Sequence, residues 1–192
     1  MAVNQKIQPT MGNCSKYYVR HLTVDRESLA SLTAPSSYWY VRWFNLKGSI
    51  EYVDWIIIMS YDLHGFWDRL NSIGSNLYAH TNLTKIKEAM NLFWRIGVPP
   101  EKVVFGVNFY GRSFTLEDPS CTGPGCPFGG QSHAGPCTGE GGILGYFEIM
   151  DILKGGKLKA RDGGSDIEIT GRSEPVRLKD EAVKYVVYND NQ

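Results

Sequence analysis

The pattern of apolar and polar positions is clearest over residues 52–67, with the sequence YVDWIIIMSYDLHGFW. An apolar, β-branched run over 55–59 has the length and composition of a strand that is buried on both faces. Directly after Ser60 come four polar or aromatic side chains, Tyr61, Asp62, His64 and Trp67. Active sites in α/β barrels lie at the carboxyl ends of the strands, so this order predicts a ligand site. The alternative is a core strand whose aspartate only caps the next turn.

Two further strands are predicted, and each is followed at once by large aromatic or polar side chains. They cover residues 29–34 and 103–109, and Pro35 ends the first of them. The side chains that follow are Tyr38, Trp39 and Tyr40 after the first strand, and Tyr110 and Arg112 after the second. Because chance placement would not favour the same end of every strand, these side chains are candidates for ligand contacts.

The segments between the strands show the helical period. Asn45 can cap a short helix that runs to Tyr52. Thr81 or Asn82 can start a longer amphipathic helix, which ends at Gly97 because two prolines follow. Strands that alternate with helices at this spacing predict right-handed βαβ units in a parallel sheet.

After Phe114 the composition changes and the βαβ pattern stops. Residues 117–142 are rich in Gly, Pro and Cys, which predicts a loop region. Residues 142–153 predict a short helix, and strand-like segments follow it. The inward side of that helix is expected to carry Ile143, Tyr146, Phe147 and Met150. We interpret this part of the chain as an α+β insertion between barrel elements.

Composition narrows the classes of partner. The 192 residues carry 20 basic and 20 acidic side chains, a balance that argues against nucleic acid or an anionic membrane. The 11 tyrosines and 5 tryptophans suit stacking on sugar rings, although packing in a β-rich core explains the same numbers. No stretch reaches the length of a membrane span, and the first residues lack the apolar core of a secretory signal. We expect neither a cofactor nor a metal ion.

The four cysteines predict disulfide bonding rather than metal binding. Cys121, Cys126 and Cys137 crowd the Gly/Pro-rich loop, where only His133 lies at zinc-ligand spacing. Cys121 and Cys137 make the simplest structural bridge, but four cysteines allow three complete connectivities, so the pairing stays open. Disulfides indicate an exported protein.

Three blocks of the sequence resemble family 18 of the glycoside hydrolases, the chitinases. The region of the family's fifth to sixth barrel strands resembles APSSYWYVRWFNLKGSIEYVDWIIIMSYDLHGFWD, and its seventh strand resembles VVFGVNFYGRSFTL. The start of the family's small α+β insertion resembles PSCTGPGCPF and GPCTGEGGILGYFEI. The cysteine spacing and the MSYDLHG segment are most similar to the killer-toxin-like chitinases of filamentous fungi. This resemblance covers about residues 30 to 190.

The resemblance implies a cleft for polymers of β-1,4-linked N-acetylglucosamine. In it, Tyr61 would hold the carbonyl of the substrate's N-acetyl group, and Asp62 would accept hydrogen bonds from the sugar beside the scissile bond. The other implied contacts are Met59 beneath the sugar, Trp67, Tyr38 and Trp39 stacked on sugar rings, and Tyr110 and Arg112 as hydrogen-bonding groups. The implied reaction is retaining hydrolysis in which the substrate's own acetamido oxygen is the nucleophile.

One part of the family's machinery is absent from the sequence. The family's general acid is the last residue of an Asp-x-x-Asp-x-Asp-x-Glu run on its fourth strand, and no segment of this chain matches that run. The chain alone is therefore predicted to be inactive, with supporting catalytic roles for Tyr61 and Asp62. The implied fold is a fragment of a (β/α)8 TIM barrel, about strands 5 to 7, with an α+β chitinase insertion. Residues 1–28 stay unassigned, 29–115 form the partial barrel and 116–192 the insertion, and the missing barrel segments are a further expected partner.

Three functional hypotheses follow. The chain is a segment of a secreted fungal chitinase that binds chitin or chito-oligosaccharides and hydrolyses them in a full-length form. Alternatively, it is a non-catalytic, lectin-like chitin-binding protein that keeps the binding residues without the acid. The third hypothesis is a degenerate product without function. Plainer interpretations of single residues also stay open, since Asp62 can cap its loop and Arg112 can pair with an acid of the insertion.

Overall fold

The structure is a computed structural model that describes residues 29–162, 165–171 and 174–191. The described residues form two compact units. The first unit contains 29–59 and 88–106, and the second contains residues within 60–87 and 107–191. None of the helices in these ranges combines the length and the apolar character that a bilayer crossing demands.

A parallel sheet is the centre of the first unit. Its strand order is β1 (Ser31–Pro35), β2 (Trp55–Met59) and β3 (Val103–Gly106). The predicted central strand has the bounds that the apolar run gave it. Ile56 and Ile58 are fully buried, whereas the alternate residues are half-buried, so one face is closed more completely than the other. The prediction of burial on both faces was therefore too strong.

Two short helices connect the first two strands. Their bounds are Tyr38–Val41 for α1 and Leu46–Ser49 for α2. Asn45 caps α2 as predicted, because its side-chain oxygen accepts from the backbone N–H of Gly48 at 3.1 Å. The Lys102 Nζ, in a 3₁₀ turn at Pro100–Lys102, donates to the carbonyls of Ile50 and Val53 at 2.8 and 2.7 Å. These bonds tie the start of β3 to the segment that precedes β2.

The long helix α3 spans Leu83–Arg95, close to the predicted bounds. Asn82 caps it, since its side-chain oxygen accepts from the backbone N–H groups of Thr84 and Lys85 at 2.9 and 3.2 Å. Its buried residues are Ala89, Met90 and Phe93. Gly97 ends it in the left-handed conformation, with φ of +81°.

Small antiparallel sheets build the second unit. The predicted strand over 103–109 is wrong in its second half, because β3 ends at Gly106 and a separate strand, β4, starts at Tyr110. The pairs are β4 (Tyr110–Arg112) with β7 (Ile143–Gly145), β5 (Phe114–Leu116) with β6 (Phe128–Gln131), and β10 (Val176–Leu178) with β11 (Val183–Tyr185). A further sheet has the order β12 (Asn189–Asn191), β9 (Ser165–Thr170), β8 (Lys157–Asp162).

Helix α4 of the second unit spans Tyr146–Leu153 and corrects the prediction for this segment. Its first residues Tyr146 and Phe147 are each 55% exposed, whereas Glu148 and Ile152 are buried. The phase differs from the prediction because β7 takes the residues up to Gly145, so the helix begins later. Ile152 packs in an apolar cluster with Leu144, Ile167 and Ile169.

The cysteine pairing also differs from the simplest expectation. Cys121 bonds to Cys126, with the Cα atoms 5.6 Å apart, and Cys137 is a free, exposed thiol. The predicted bridge between Cys121 and Cys137 is therefore wrong. Cys137 lies in a different turn, where its backbone N–H is bound by Glu148. Cys14 lies outside the described residues.

Candidate functional site

An ion pair between Asp62 and Arg112 is the centre of the candidate site, which lies in the second unit. The Arg112 Nε is 2.9 Å from the Asp62 Oδ1, and the Arg112 Nη2 is 2.8 Å from Oδ2. This two-point fork is the strongest geometry available to an arginine and a carboxylate. The side chain of Arg112 is 16% exposed and that of Asp62 is 32% exposed, so the pair is partly shielded from solvent but accessible to a ligand. Arg112 pairs with Asp62 and not, as the plainer interpretation had it, with an acid of the insertion.

Local backbone geometry brings the two partners together. Asp62 has φ of +57°, a left-handed conformation that aspartate tolerates better than most residues. The next backbone N–H, of Leu63, donates to the carbonyl of His80 at 3.1 Å and holds the turn. In β4, Tyr110 and Arg112 are two residues apart and so point to the same face, towards Asp62.

Aromatic rings surround the ion pair. The Tyr110 ring stacks on the His80 ring at a centroid distance of 5.3 Å, and the Tyr61 ring meets it edge-on at 6.2 Å. The Arg112 guanidinium lies over the ring of Trp67 at 4.9 Å. Trp67 is 40% exposed and therefore offers apolar ring surface to a ligand. We call these six residues the Asp62 cluster: Tyr61, Asp62, Trp67, His80, Tyr110 and Arg112.

A glycine makes the position of Trp67 sterically feasible. A Cβ added to Gly65 would lie 2.4 Å from the Trp67 ring, closer than any contact between real carbon atoms. The same loop contains a buried pair in which the His64 Nδ1 lies 3.0 Å from the Asp68 Oδ2. This pair gives His64 a hydrogen-bonding role within the loop.

The electrostatics of the Asp62 cluster fix its protonation states. Burial by itself would raise the pKa of Asp62, but hydrogen bonds from His80, then Arg112 and Tyr110, outweigh it and hold that pKa well below its usual range. Burial and the hydrogen bond to the Asp62 anion raise the pKa of Tyr110. Near neutral pH, the site therefore contains the Asp62 carboxylate, the Arg112 guanidinium and a neutral phenol at Tyr110.

These protonation states decide what the cluster can do chemically. An aspartate with a strongly lowered pKa does not protonate a leaving group, so Asp62 is not a general acid. Two of the five N–H donors of Arg112 serve Asp62, and the guanidinium also bonds the Tyr110 hydroxyl, so at most two donors remain for a ligand. The cluster thus presents N–H and phenol donors beside an exposed indole, which suits a neutral ligand with acceptor oxygens and an apolar face.

The predicted site residues are distributed over both units. Tyr61, Asp62, Trp67, Tyr110 and Arg112 come together in the second unit as described above. The other three lie in the first unit. Met59 ends β2, where its carbonyl accepts from the Ser36 hydroxyl at 2.7 Å. Tyr38 and Trp39 lie on α1 and are 63% and 62% exposed.

Glu148, a buried carboxylate outside the Asp62 cluster, was not predicted from the sequence. It is 1% exposed and accepts from the backbone N–H groups of Cys137, Thr138 and Gly145 at 2.9, 3.1 and 2.7 Å, and from the Thr138 hydroxyl. Burial would raise its pKa, but these hydrogen bonds, that from the Thr138 hydroxyl first, lower it. A signal was present, because an acid three residues after a helix N-cap is typical of a capping box.

His80 and Asn108 were also missed. Both belong to the surroundings of Asp62, since the His80 Nδ1 is 3.3 Å from the Asp62 Oδ1 and the Asn108 Nδ2 is 3.3 Å from the His80 Nε2. His80 comes two residues before the cap of α3 and Asn108 follows β3, so neither shows a periodicity that would single it out. Only the distances reveal them.

Comparisons with known proteins agree with the family that the sequence blocks resemble. Residues 15–192 match the family described as Glycosyl hydrolases family 18. Probable chitinase LysM11 of Penicillium expansum is 35% identical over 188 residues, which cover 86% of this chain and 16% of that protein. Secreted chitinase LysM12 of the same organism is 39% identical over 135 residues, which cover 64% of this chain and 9% of that protein.

Solved structures of related proteins match as well. One is human YKL-39, described as a pseudo-chitinase with retained chitooligosaccharide binding properties. The match has a TM-score of 0.67 and 26% sequence identity, and it covers 90% of this chain and 46% of that chain. The chain thus spans about a sixth or less of these two curated relatives and less than half of this structure. The neighbours indicate a TIM-barrel type of fold, of which the described residues form a mixed strand and helix portion.

Proposed function

The chain belongs to family 18 of the glycosyl hydrolases, and we propose that its Asp62 cluster binds oligomers of β-1,4-linked N-acetylglucosamine. The observation that carries this proposal is the juxtaposition of the exposed Trp67 ring with a guanidinium held by two bonds to Asp62. An N-acetylated sugar presents the two matching features. Its ring face is apolar, and its amide carbonyl and hydroxyl oxygens accept hydrogen bonds.

Each residue of the cluster has a proposed role. Trp67 stacks on a sugar ring, Arg112 donates its remaining N–H groups to sugar oxygens, and the Tyr61 hydroxyl donates to the carbonyl of the N-acetyl group. Tyr110 stays protonated because its pKa is raised, so its O–H donates to Asp62 over the whole physiological range, and its oxygen can accept from a sugar hydroxyl. Met59 beneath the sugar, with Tyr38 and Trp39 as stacking residues, completes the proposed set.

Asp62 has a more restricted role than an open hydrogen-bond acceptor. Its carboxylate already meets two N–H groups of Arg112, the His80 Nδ1 and the Tyr110 hydroxyl. A carboxylate has about four acceptor positions, so a sugar hydroxyl contacts it only by replacing one of these donors. We therefore propose that Asp62 acts mainly by fixing the direction of Arg112 and Tyr110, and accepts from the sugar in exchange for one donor.

Hydrolysis needs one further group. In a protein that supplies a carboxylic acid of raised pKa beside this cluster, Tyr61 would align the substrate's acetamido oxygen for attack, in a retaining, substrate-assisted reaction. We propose that β1, β2 and β3 correspond to barrel strands 5 to 7, that 116–192 is the chitinase insertion, and that the protein acts outside the cell. The Cys121–Cys126 disulfide is consistent with export.

Binding of tetra-N-acetylchitotetraose to the full chain, measured by isothermal titration calorimetry, tests the proposal. We expect saturable binding that Trp67→Ala weakens about tenfold, the typical loss for one aromatic stacking contact. Trp94→Ala is the matched control, because Trp94 is exposed to nearly the same degree, 38% against 40%, and lies outside the cluster. Absence of binding by the unmodified chain, or equal losses in both variants, would reject this function.

A second candidate function is non-catalytic chitin binding of the lectin type. The observation that favours it is the protonation state of the cluster, in which the central acid Asp62 is held ionised and the Tyr110 phenol is held neutral. A chromogenic chito-oligosaccharide separates the two functions. Binding without turnover, in the longest natural form of the protein, would support the lectin, and turnover there would support the hydrolase.

A further inference from the structure

His80 contacts three parts of the Asp62 cluster at once. Its Nδ1 lies 3.3 Å from the Asp62 Oδ1, and the Asp62 backbone N–H also points at Nδ1, with 3.3 Å between the two nitrogens. Its Nε2 lies 3.3 Å from the Asn108 Nδ2, and its ring stacks on Tyr110 with an interplanar angle of 27°. The side chain is only 10% exposed, so its polar atoms depend on these partners.

These partners cannot all be satisfied by one tautomer, and the surroundings decide between the two. The Asn108 Nδ2 also donates to the Tyr110 carbonyl, which orients the amide so that an N–H faces the His80 Nε2. The Nε2 is then the acceptor. The proton of a neutral imidazole therefore lies on Nδ1, which faces the Asp62 carboxylate. The opposite tautomer would keep the bond from the Asp62 backbone N–H to Nδ1. It would give up both the Asn108–Tyr110 bond and the bond to a charged acceptor, which is the stronger kind.

We propose that His80 is a positioning residue of the glycan site, in which its Nδ1–H holds the Asp62 carboxylate in register with Arg112 and its ring supports Tyr110. Asn108 selects the tautomer. A chain of hydrogen bonds therefore runs from the Asn108 amide through the imidazole to Asp62, and from Asp62 to the arginine that faces the ligand. This assignment rests on the proposed function for its ligand but on the structure alone for its geometry.

The tautomer is tested first, in the unmodified chain without any ligand. Long-range ¹H–¹⁵N correlation NMR distinguishes a protonated from a bare imidazole nitrogen, and His80→Gln identifies the His80 signals. We expect a protonated Nδ1 and a bare Nε2. In Asn108→Asp, whose carboxylate accepts where the amide donated, we expect Nε2 to carry a proton. A bare Nδ1 in the unmodified chain, or an unchanged pattern in Asn108→Asp, would overturn the assignment.

Affinity for tetra-N-acetylchitotetraose then tests the consequence for the ligand. His80→Phe keeps the ring against Tyr110 and removes the donor, and we expect it to weaken binding about tenfold, as for the loss of one hydrogen bond to a charged group. His80→Asn places an amide N–H near the position of Nδ1, and we expect a loss of less than about threefold. Equal losses in the two variants would contradict positioning through the donor.

The two proposals fail in different ways. An unmodified chain that does not bind the tetrasaccharide removes the proposed function, and the NMR pattern still decides whether Asn108 and His80 form the chain to Asp62. Binding that is present, together with the reverse tautomer, removes the positioning role and leaves the glycan site intact.

Discussion

Two carboxylates of the second unit, Asp62 and Glu148, are both held below their usual pKa, yet they are held by different parts of the protein. Glu148 is fully buried and is bound largely by backbone N–H groups of its own loop and helix. Asp62 is partly exposed and is bound by the side chains of His80, Tyr110 and Arg112. A lowered pKa alone therefore does not identify a functional acid.

The difference indicates which carboxylate serves the fold and which serves a ligand. Backbone N–H groups cannot turn towards a ligand without unfolding their segment, so Glu148 fixes the loop of Cys137 and Thr138 to the start of α4. Side chains such as that of Arg112 keep further donors beyond the pair they form. We infer that Glu148 contributes mainly stability and that Asp62 contributes mainly recognition, and four measurements test this contrast.

The largest expected effect is the loss of stability in Glu148→Gln. The new amide has one oxygen fewer to accept the four donors at this site, and its NH2 group faces N–H groups, so a buried polar group is left unpaired. We expect the free energy of unfolding to fall by about 3 kcal/mol in urea denaturation. Glu140→Gln, on the exposed part of the same loop, should change it very little. Equal effects of the two variants would contradict the structural role of Glu148.

The second effect is the pH dependence of the stability difference between the unmodified chain and Glu148→Gln. The folded pKa of Glu148 is lowered from the ordinary 4.5, so its stabilisation is complete above that pH and is lost as the pH falls through the lowered value. The gap in unfolding free energy between the unmodified chain and Glu148→Gln should therefore narrow on acidification from pH 7 to pH 3. A gap that stays constant from pH 7 to pH 3 would show that the charge of Glu148 does not contribute to stability.

The third effect concerns the ligand side of the contrast. Gly65→Ala would bring a Cβ to 2.4 Å from the Trp67 ring, so the ring must move away from Arg112. We expect the affinity for tetra-N-acetylchitotetraose to fall about tenfold, as in Trp67→Ala, with little change in the melting temperature. Gly123→Ala is the matched control, because a Cβ there meets no atom within 4 Å. Unchanged affinity in Gly65→Ala would mean that the Trp67 orientation does not matter.

The fourth effect is a small loss of stability in Asp62→Asn. Asparagine accepts the left-handed backbone at this position, and the ion pair it removes is partly open to solvent. We expect a loss of about 1 kcal/mol or less in unfolding free energy, together with an affinity loss of about tenfold as Arg112 loses its anchor. A stability loss as large as that of Glu148→Gln would erase the contrast between the two carboxylates.

Sequence patterns predicted the fold correctly where structure depends on residues that are close along the chain. The strand at 55–59, the cap at Asn82 and the helix that follows were predicted because burial and capping depend on neighbours along the chain. The strand at 103–109 was predicted too long, and the phase of α4 was wrong. Both errors have one cause, since β4 and β7 pair with each other, so β3 ends earlier and α4 begins later than predicted.

In the candidate site, too, local features were predictable and long-range contacts were not. Residue types after the strands pointed to Asp62 and Arg112, but not to the bond between them, which joins positions 50 apart in the sequence. The contribution of His80 is invisible without that geometry. The loop contains a disulfide as predicted, but the pairing of Cys121 with Cys137 was wrong for a similar reason. A turn brings Cys121 to Cys126 and leaves Cys137 elsewhere, and the spacing of cysteines does not show which turn forms.

The left-handed backbone at Asp62 has a consequence for how such a site is lost in evolution. Single-base changes convert an aspartate codon into one for asparagine or glycine, the two residues that accept a positive φ most readily. Either substitution removes the anchor of Arg112 and leaves the chain able to fold. A lineage can therefore lose the proposed glycan recognition at this position in one mutational step, at little cost to the stability of the protein.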